Sequence, residues 1–255
     1  MTPSNKPTER FSNRVTDYIA ARPSYPSAMI DFMLKEFKLH QHSVIADIGS
    51  GTGILTSLLL EKNINVLGIE PNDEMRKAAE NLLSGFSNFL SIKGAAEKTG
   101  LIDESVDLIS AAQAFHWFDI PETKKEFRRI LKPNGFVCLI WNERVTAATE
   151  FDQAYENIIL EFATDYEKVN HTNINEIILC DFFIQQMKMK SFPYSQQLDE
   201  VGLQMRLSSA SYLPDTGHKK FEPMCAEIKN MFGTFAQEGK VTINYLSKIY
   251  FGKMN

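Results

Sequence analysis

The stretch Val44–Leu55 constrains this chain more than any other. Val44, Ile45, Ala46 and Ile48 are apolar around one acid, Asp47, which predicts a short buried strand. Gly49, Gly51 and Gly53 follow at alternate positions, and an apolar run, Ile54-Leu55-Thr56-Ser57-Leu58-Leu59-Leu60, begins at once. A strand, a tight glycine loop and a helix N-terminus leave backbone N–H groups beside open space. Glycines carry no Cβ, so a ligand can approach them closely. The stretch predicts a small-molecule cofactor site.

Around it the chain alternates. Helices are expected over 11–21 and 27–37, with the prolines of Arg22-Pro23-Ser24-Tyr25-Pro26 between them and Ser27 as a cap. Asn65-Val66-Leu67-Gly68-Ile69-Glu70 reads as a second strand ending on an acid, and Asn72 or Asp73 can cap the helix that follows Pro71. Strands are expected at 88–93, 105–112 and 136–141, with a helix opening at Pro121 and a turn at Lys132–Gly135. Strands alternating with helices of this length predict βαβ units on a parallel sheet. The rhythm changes after Trp141: helices are expected over 147–168, 195–209 and 219–236, and alternation predicts strands near Met187–Lys190 and from Val241 to Phe251. Residues 170–181 carry no clear pattern.

The composition narrows the function classes. A chain of 255 residues that is 44% hydrophobic and 23% charged is expected to be globular. Its net charge of −5 argues against a nucleic-acid surface as its main business. Cys138, Cys180 and Cys225 form neither a disulfide framework nor a metal-binding pattern. The polar residues 1–10 are expected to be a flexible lead-in rather than a signal peptide. No apolar run is long enough for a membrane span. A cytoplasmic protein, a monomer or homodimer without a metal, is expected.

The glycine spacing bears on which cofactor. A dinucleotide fingerprint needs its third glycine at position 54, where this chain has Ile54. Asp47 before the loop is unhelpful beside a pyrophosphate but suits a cationic ammonium. Glu70, 23 residues after Asp47, can accept hydrogen bonds from both hydroxyls of a ribose. An adenosine carrying an amino-acid tail and no phosphate fits both acids, and that ligand is S-adenosylmethionine.

Asp47-Ile48-Gly49-Ser50-Gly51-Thr52-Gly53 resembles the first motif of class I S-adenosylmethionine-dependent methyltransferases, and Glu70 matches their ribose-binding acid. Gly94-Ala95-Ala96-Glu97, the run Asp103–Leu108 and Leu131-Lys132-Pro133-Asn134-Gly135-Phe136 are similar to later motifs of the same family, in order and at family spacing. Residues 40–142 carry the close resemblance. Tyr18–Pro26 and Ala112–Asp119 are similar to the branch containing trans-aconitate methyltransferase. Many members carry an acid where this chain has Ala95, so the adenine contact falls to Ala96 and Glu97.

The resemblance implies an α/β, Rossmann-like, doubly wound and mostly parallel seven-stranded sheet with an antiparallel C-terminal strand and a helical cap. One methyltransferase domain over 1–255 is implied. It comprises N-terminal helices at 11–38, a cofactor core at 40–142, cap elements at 143–182 and 195–238, and final strands at 183–192 and 240–252. The implied cofactor contacts are Asp47, Gly49, Ser50, Gly51, Gly53, Glu70, Pro71, Ala96, Glu97, Ala111 and Gln113. Tyr18, Arg22 and Tyr25 would close over the methionine carboxylate or the substrate, since arginine pairs bidentately with a carboxylate.

His116 could be a general base or a wall residue beside Trp117. Asn142 and Arg144 follow the fifth strand on the side where open sheets bind ligands, and are substrate candidates with Tyr25, His116 and Trp117. The expected reaction is methyl transfer from S-adenosylmethionine to a small molecule, leaving S-adenosylhomocysteine. A carboxylate acceptor would need no base. A nicotinamide-dependent oxidoreductase and a non-catalytic S-adenosylmethionine-binding protein are the alternatives.

Overall fold

The computed structural model describes residues 15–164, 166, 174–183 and 187–254. Its centre is a seven-stranded sheet in the order β3-β2-β1-β4-β5-β7-β6. The strands are β1 (Val44–Ile48), β2 (Asn65–Ile69), β3 (Phe89–Ile92), β4 (Val106–Ala112), β5 (Leu131–Arg144), β6 (Lys188–Leu198) and β7 (Val241–Gly252). Pairings from β3 through β5 are parallel, and β7 runs antiparallel to both β5 and β6. The expected antiparallel C-terminal strand is therefore inserted between two others.

Strand order reverses at β1, with β2 on one side and β4 on the other. The connections after these strands leave in opposite directions, which opens a crevice at their carboxyl ends. Side-chain alternation splits the core between the two faces. Ile45, Cys138 and Ile140 pack with Met29 and Met33 of α2 (Ser27–Glu36) and Leu55 and Leu59 of α3 (Ile54–Leu60). Ala46, Ile48, Val137 and Leu139 pack on the other face with Phe127 and Ile130 of the helix Ile120–Ile130 and Phe182 of the helix Glu176–Phe182. A third core joins the helices Glu150–Phe162, Glu200–Ser208 and Phe221–Phe235 to the first half of β7. This is the cap.

In chain order the remaining α-helices among the described residues are α1 (Val15–Ala21), α4 (Asp73–Leu82), α5 (Ile120–Ile130), α6 (Glu150–Phe162), α7 (Glu176–Phe182), α8 (Glu200–Ser208) and α9 (Phe221–Phe235). Local chemistry sets their starts. The Asn72 side chain accepts the N–H groups of Glu74 and Met75 to cap α4, and Asp119 caps α5 ahead of Pro121. Thr149 and Asp152 form a reciprocal capping box at α6. Ser27 does not cap α2; Pro26 holds the cap position and Ser27 is the first helical residue.

Three expected boundaries move. The helix expected over 195–209 begins only at Glu200, because Ser195–Leu198 continue β6 against β7 and Asp199 supplies the cap. Lys132–Gly135 lies inside β5 as a bulge, with Asn134 at φ 70° and the β4–β5 register shifting between Val106 and Leu108. The helix expected over 147–168 is α6, opened by Thr149 and ended at Phe162. The patternless segment contains α7. The lead-in 1–10 lies outside the described residues. No described helix is long and apolar enough to cross a membrane.

Candidate functional site

The glycine loop closes on the end of β2. Gly49 and Ser50 both donate their N–H groups to the Ile69 carbonyl, at 2.8 and 3.2 Å. All three loop glycines have positive φ: 68° at Gly49, 58° at Gly51 and 87° at Gly53. Two are also crowded. A Cβ on Gly49 would stand 2.6 Å from that of Ala114, and one on Gly53 would stand 2.7 Å from Leu83. A Cβ on Gly51 would meet nothing within 4 Å. Gly49 and Gly53 thus serve packing, and Gly51 presents bare backbone to open space.

Glu70 is tied to this loop. Its carboxylate accepts the Gly51 N–H at 2.9 Å and the Asn72 N–H at 2.8 Å, one on each oxygen. Burial raises its pKa, and those two bonds oppose the shift. The carboxylate is fixed in place, and each oxygen keeps a lone pair for a further donor.

Among the described residues, two adjoining cavities open in the crevice. The first, about 290 Å³, is walled by Gly49, Gly51, Glu70 and Pro71 on one side and by Ala95, Ala96 and Glu97 on another. Met75, Ala112, Ala114 and Phe118 complete its apolar surface. The second, about 350 Å³, lies under the cap and is lined by Arg22, Tyr25, His116, Asn142 and Arg144. The cap supplies Tyr166, Arg206 and Tyr212 to it, and β7 supplies Tyr245. Tyr18, Gln113 and Trp117 line both. Gln113 follows β4 in a left-handed conformation (φ 58°) that a residue with a long side chain rarely adopts, at the junction of the two cavities.

Most of the expected residues are brought together here; some stand elsewhere. Asp47 lines neither cavity. It is buried beneath the loop, where its carboxylate accepts Thr56 Oγ1 at 2.7 Å and Ser110 Oγ at 2.9 Å. Burial raises its pKa to about 6 against those two bonds. Ser50 and Gly53 shape the loop without lining a cavity, and Ser50 Oγ covers the site where Gly68 lacks a Cβ. Ala111 is fully buried in the sheet core, because alternation along β4 turns it away; Ala112 and Gln113 line the walls instead.

Other candidates have a second task. Glu97 lines the first cavity but also accepts the Asp119 N–H at 2.8 Å. Asn142 is engaged at both ends, donating to the Ser24 carbonyl at 3.0 Å and accepting from Ser247 Oγ at 2.5 Å. Arg144 is paired with Glu156 and stacked on Tyr155. Arg22 stacks on Tyr18 and donates Nη2 to the Ser209 carbonyl at 2.7 Å, and burial lowers its pKa. The His116 ring lies 4.9 Å from that of Trp117. Tyr25 is buried where it lines the second cavity. Arg206, Tyr212 and Tyr245 belong to no motif. One signal marked the first of them: a charged residue between Met205 and Leu207, in a helix whose Leu203 and Leu207 face the core.

Comparison with known proteins places this arrangement. Residues 46–139 match a methyltransferase domain family. An uncharacterized methyltransferase-like protein of Schizosaccharomyces pombe is 30% identical over 225 residues, covering 88% of this chain and 86% of that protein. An uncharacterized methyltransferase of Mycobacterium tuberculosis is 36% identical over 134 residues, and there the chain spans only about half of the relative, 52%. Among solved structures, a proposed type II methyltransferase from Anaeromyxobacter dehalogenans superposes with a TM-score of 0.67 at 19% identity, covering 91% of this chain and 98% of that one. The last likeness speaks for the fold alone. The near full-length relative, the family match and the glycine loop in its sheet setting agree: this chain belongs to the class I S-adenosylmethionine-dependent methyltransferase family.

Proposed function

We propose that the protein binds S-adenosylmethionine in the first cavity and transfers its methyl group to a small molecule bearing a carboxylate in the second. The observation that carries the reading is the junction of a nucleoside-shaped site with a positively lined one. The first cavity fits the cofactor. Gly51 offers backbone with no side chain over it, Glu70 has lone pairs free for two ribose hydroxyls, and the small side chains of Ala95 and Ala96 leave room for a purine.

When bound, the cofactor supplies a sulfonium methyl group open to in-line displacement. The residues of this chain then position and desolvate rather than react. Glu70 orients the ribose, and Met75, Ala112 and Phe118 enclose the base. Tyr18, Gln113 and Trp117, which line both cavities, exclude water from the line of transfer. Arg22 offers its charge to the methionine carboxylate. A carboxylate acceptor is already nucleophilic, so the site needs no general base, and His116 serves as wall.

Glu70→Ala tests the cofactor half. It should weaken S-adenosylhomocysteine binding by roughly 1.5–3 kcal/mol, the range for hydrogen bonds to a charged group. Calorimetry on the two proteins measures this, and an unchanged affinity would remove Glu70 from the ribose. Product detection with a panel of small acids, phenols and amines tests the acceptor half; methylation of phenols or amines alone would overturn it.

A further inference from the structure

Resting on the two-cavity reading above, we infer that Arg206 is the residue that selects the acceptor, by gripping an anionic group of it with a free guanidinium fork. The argument begins with charge. The second cavity is lined by Arg22, Arg144 and Arg206 and by one acid, Glu143. Glu143 is paired with Lys248 at 2.5 Å, and Arg144 is paired with Glu156. Among the described residues no carboxylate pairs with Arg22 or Arg206. An acidic chain thus gathers positive charge in one cavity with no carboxylate among the described residues to pair Arg22 and Arg206.

The two arginines differ in what they have left to give. Arg22 spends Nη2 on the Ser209 carbonyl, and its Nε is sealed in the protein. Arg206 is 9% exposed, and its one hydrogen bond among the described residues runs from Nε to Tyr245 Oη at 3.2 Å. Among the described residues its two terminal nitrogens have no acceptor, and they are not sealed. A single bond to a neutral phenol does not compensate a buried guanidinium. A planar carboxylate does, since it meets two parallel N–H groups.

The fork is also aimed. Tyr245 Oη reaches Gln196 Oε1 at 3.4 Å, and Gln196 Nε2 donates to the Ala21 carbonyl at 3.0 Å. This relay fixes the Arg206 guanidinium against β6, β7 and the residue preceding Arg22. A side chain kept only for packing would need no such orientation. Arg206 is therefore a binding residue for the acceptor, distinct from the cofactor's contacts at Glu70 and the glycine loop.

The test uses the full chain with and without saturating S-adenosylhomocysteine. Calorimetry measures hexanoate, benzoate and glutarate against their primary amides. In the wild type at least one acid should bind about tenfold or more tighter than its amide, the worth of a charge-assisted hydrogen-bond pair. Arg206→Gln should abolish that preference and leave S-adenosylhomocysteine affinity within about twofold. Arg206→Lys keeps the charge but not the fork and should retain only part of the preference. If Arg206→Gln does not fold, as judged by its thermal melt, Arg206→Lys decides: an undiminished preference overturns the proposal. It is likewise overturned if no acid outbinds its amide, if the preference survives in Arg206→Gln, or if that variant loses cofactor affinity instead. A wild type that binds acids over amides but not S-adenosylhomocysteine would refute the cofactor reading and leave Arg206 as an anion site.

Discussion

Asp47 is the residue whose surroundings most change its meaning. Its position before the glycines suggested a partner for an ammonium group. Instead it ties the first turn of α3, through Thr56, to β4, through Ser110, and the loop rests on that tie. Its carboxyl is pushed up to about 6, chiefly by burial. The folded protein then holds this proton more tightly than the unfolded chain, whose value is near 3.9. Between about pH 4 and pH 6 the native state binds more protons, so stability from this group falls as pH rises and levels off above about 6. The full effect is on the order of 3 kcal/mol for a shift of about two pK units. Asp47→Asn should remove it. Urea unfolding at pH 4, 5, 6 and 7 should show a less negative slope of stability against pH in the variant than in the wild type. Equal slopes would mean that Asp47 keeps an ordinary pKa. Gly51 and Glu70 were readable without any structure, because close approach and strand-end acidity are local properties. Whether an acid faces the cavity or the layer beneath is set by partners nine and 63 residues away.

At the scale of elements, α1 is the piece that joins the two cavities to the cap. It carries Tyr18, and the segment after it is held by side chains from distant strands and by one distant carbonyl. Gln196 of β6 donates to the Ala21 carbonyl, Asn142 of β5 donates to the Ser24 carbonyl, and Arg22 donates to the Ser209 carbonyl just beyond α8. Each neutral bond contributes about 1 kcal/mol. Gln196→Ala should make the local opening of α1 easier by about that amount, speeding amide exchange in Val15–Ala21 about fivefold while sheet amides that exchange by local fluctuation change little. Uniform acceleration through the sheet would show that the bond supports the whole fold. The sheet strands were legible from runs such as Phe136–Trp141 and from glycine and proline punctuation. The end of β6 was not. Ser195-Gln196-Gln197-Leu198 has no strand-forming residues to announce it, and its pairing with Val241–Asn244 is long-range. Where packing decides the conformation, local preference is overruled.

For the whole molecule, the site is assembled from both ends of the described chain: α1, the crevice beside β1 and β4, and the tyrosines of the cap and β7. Motif reading covered 40–142 closely and Tyr18–Pro26 more loosely, and went no further, since Arg206, Tyr212 and Tyr245 meet only in three dimensions. A net charge of −5 also conceals a positively lined cavity, because a sum over the chain says nothing of where charges sit. A ligand spanning the first cavity touches α1, the glycine loop, the end of β2 and the residues after β4, and this set does not exist in the unfolded chain. Binding must therefore raise stability. At a free concentration of 100 times Kd the gain is about 2.7 kcal/mol. At roughly 2–4 °C per kcal/mol for a chain near this size, the melting temperature should rise by about 5–10 °C. Thermal melts with S-adenosylhomocysteine should show this rise, and it should shrink in Glu70→Ala at the same ligand concentration. NAD, whose pyrophosphate would need the glycine that Ile54 replaces, should shift the melt little. An equal or larger shift with NAD would mean that the loop serves a dinucleotide, and the assignment of the first cavity would fall with it.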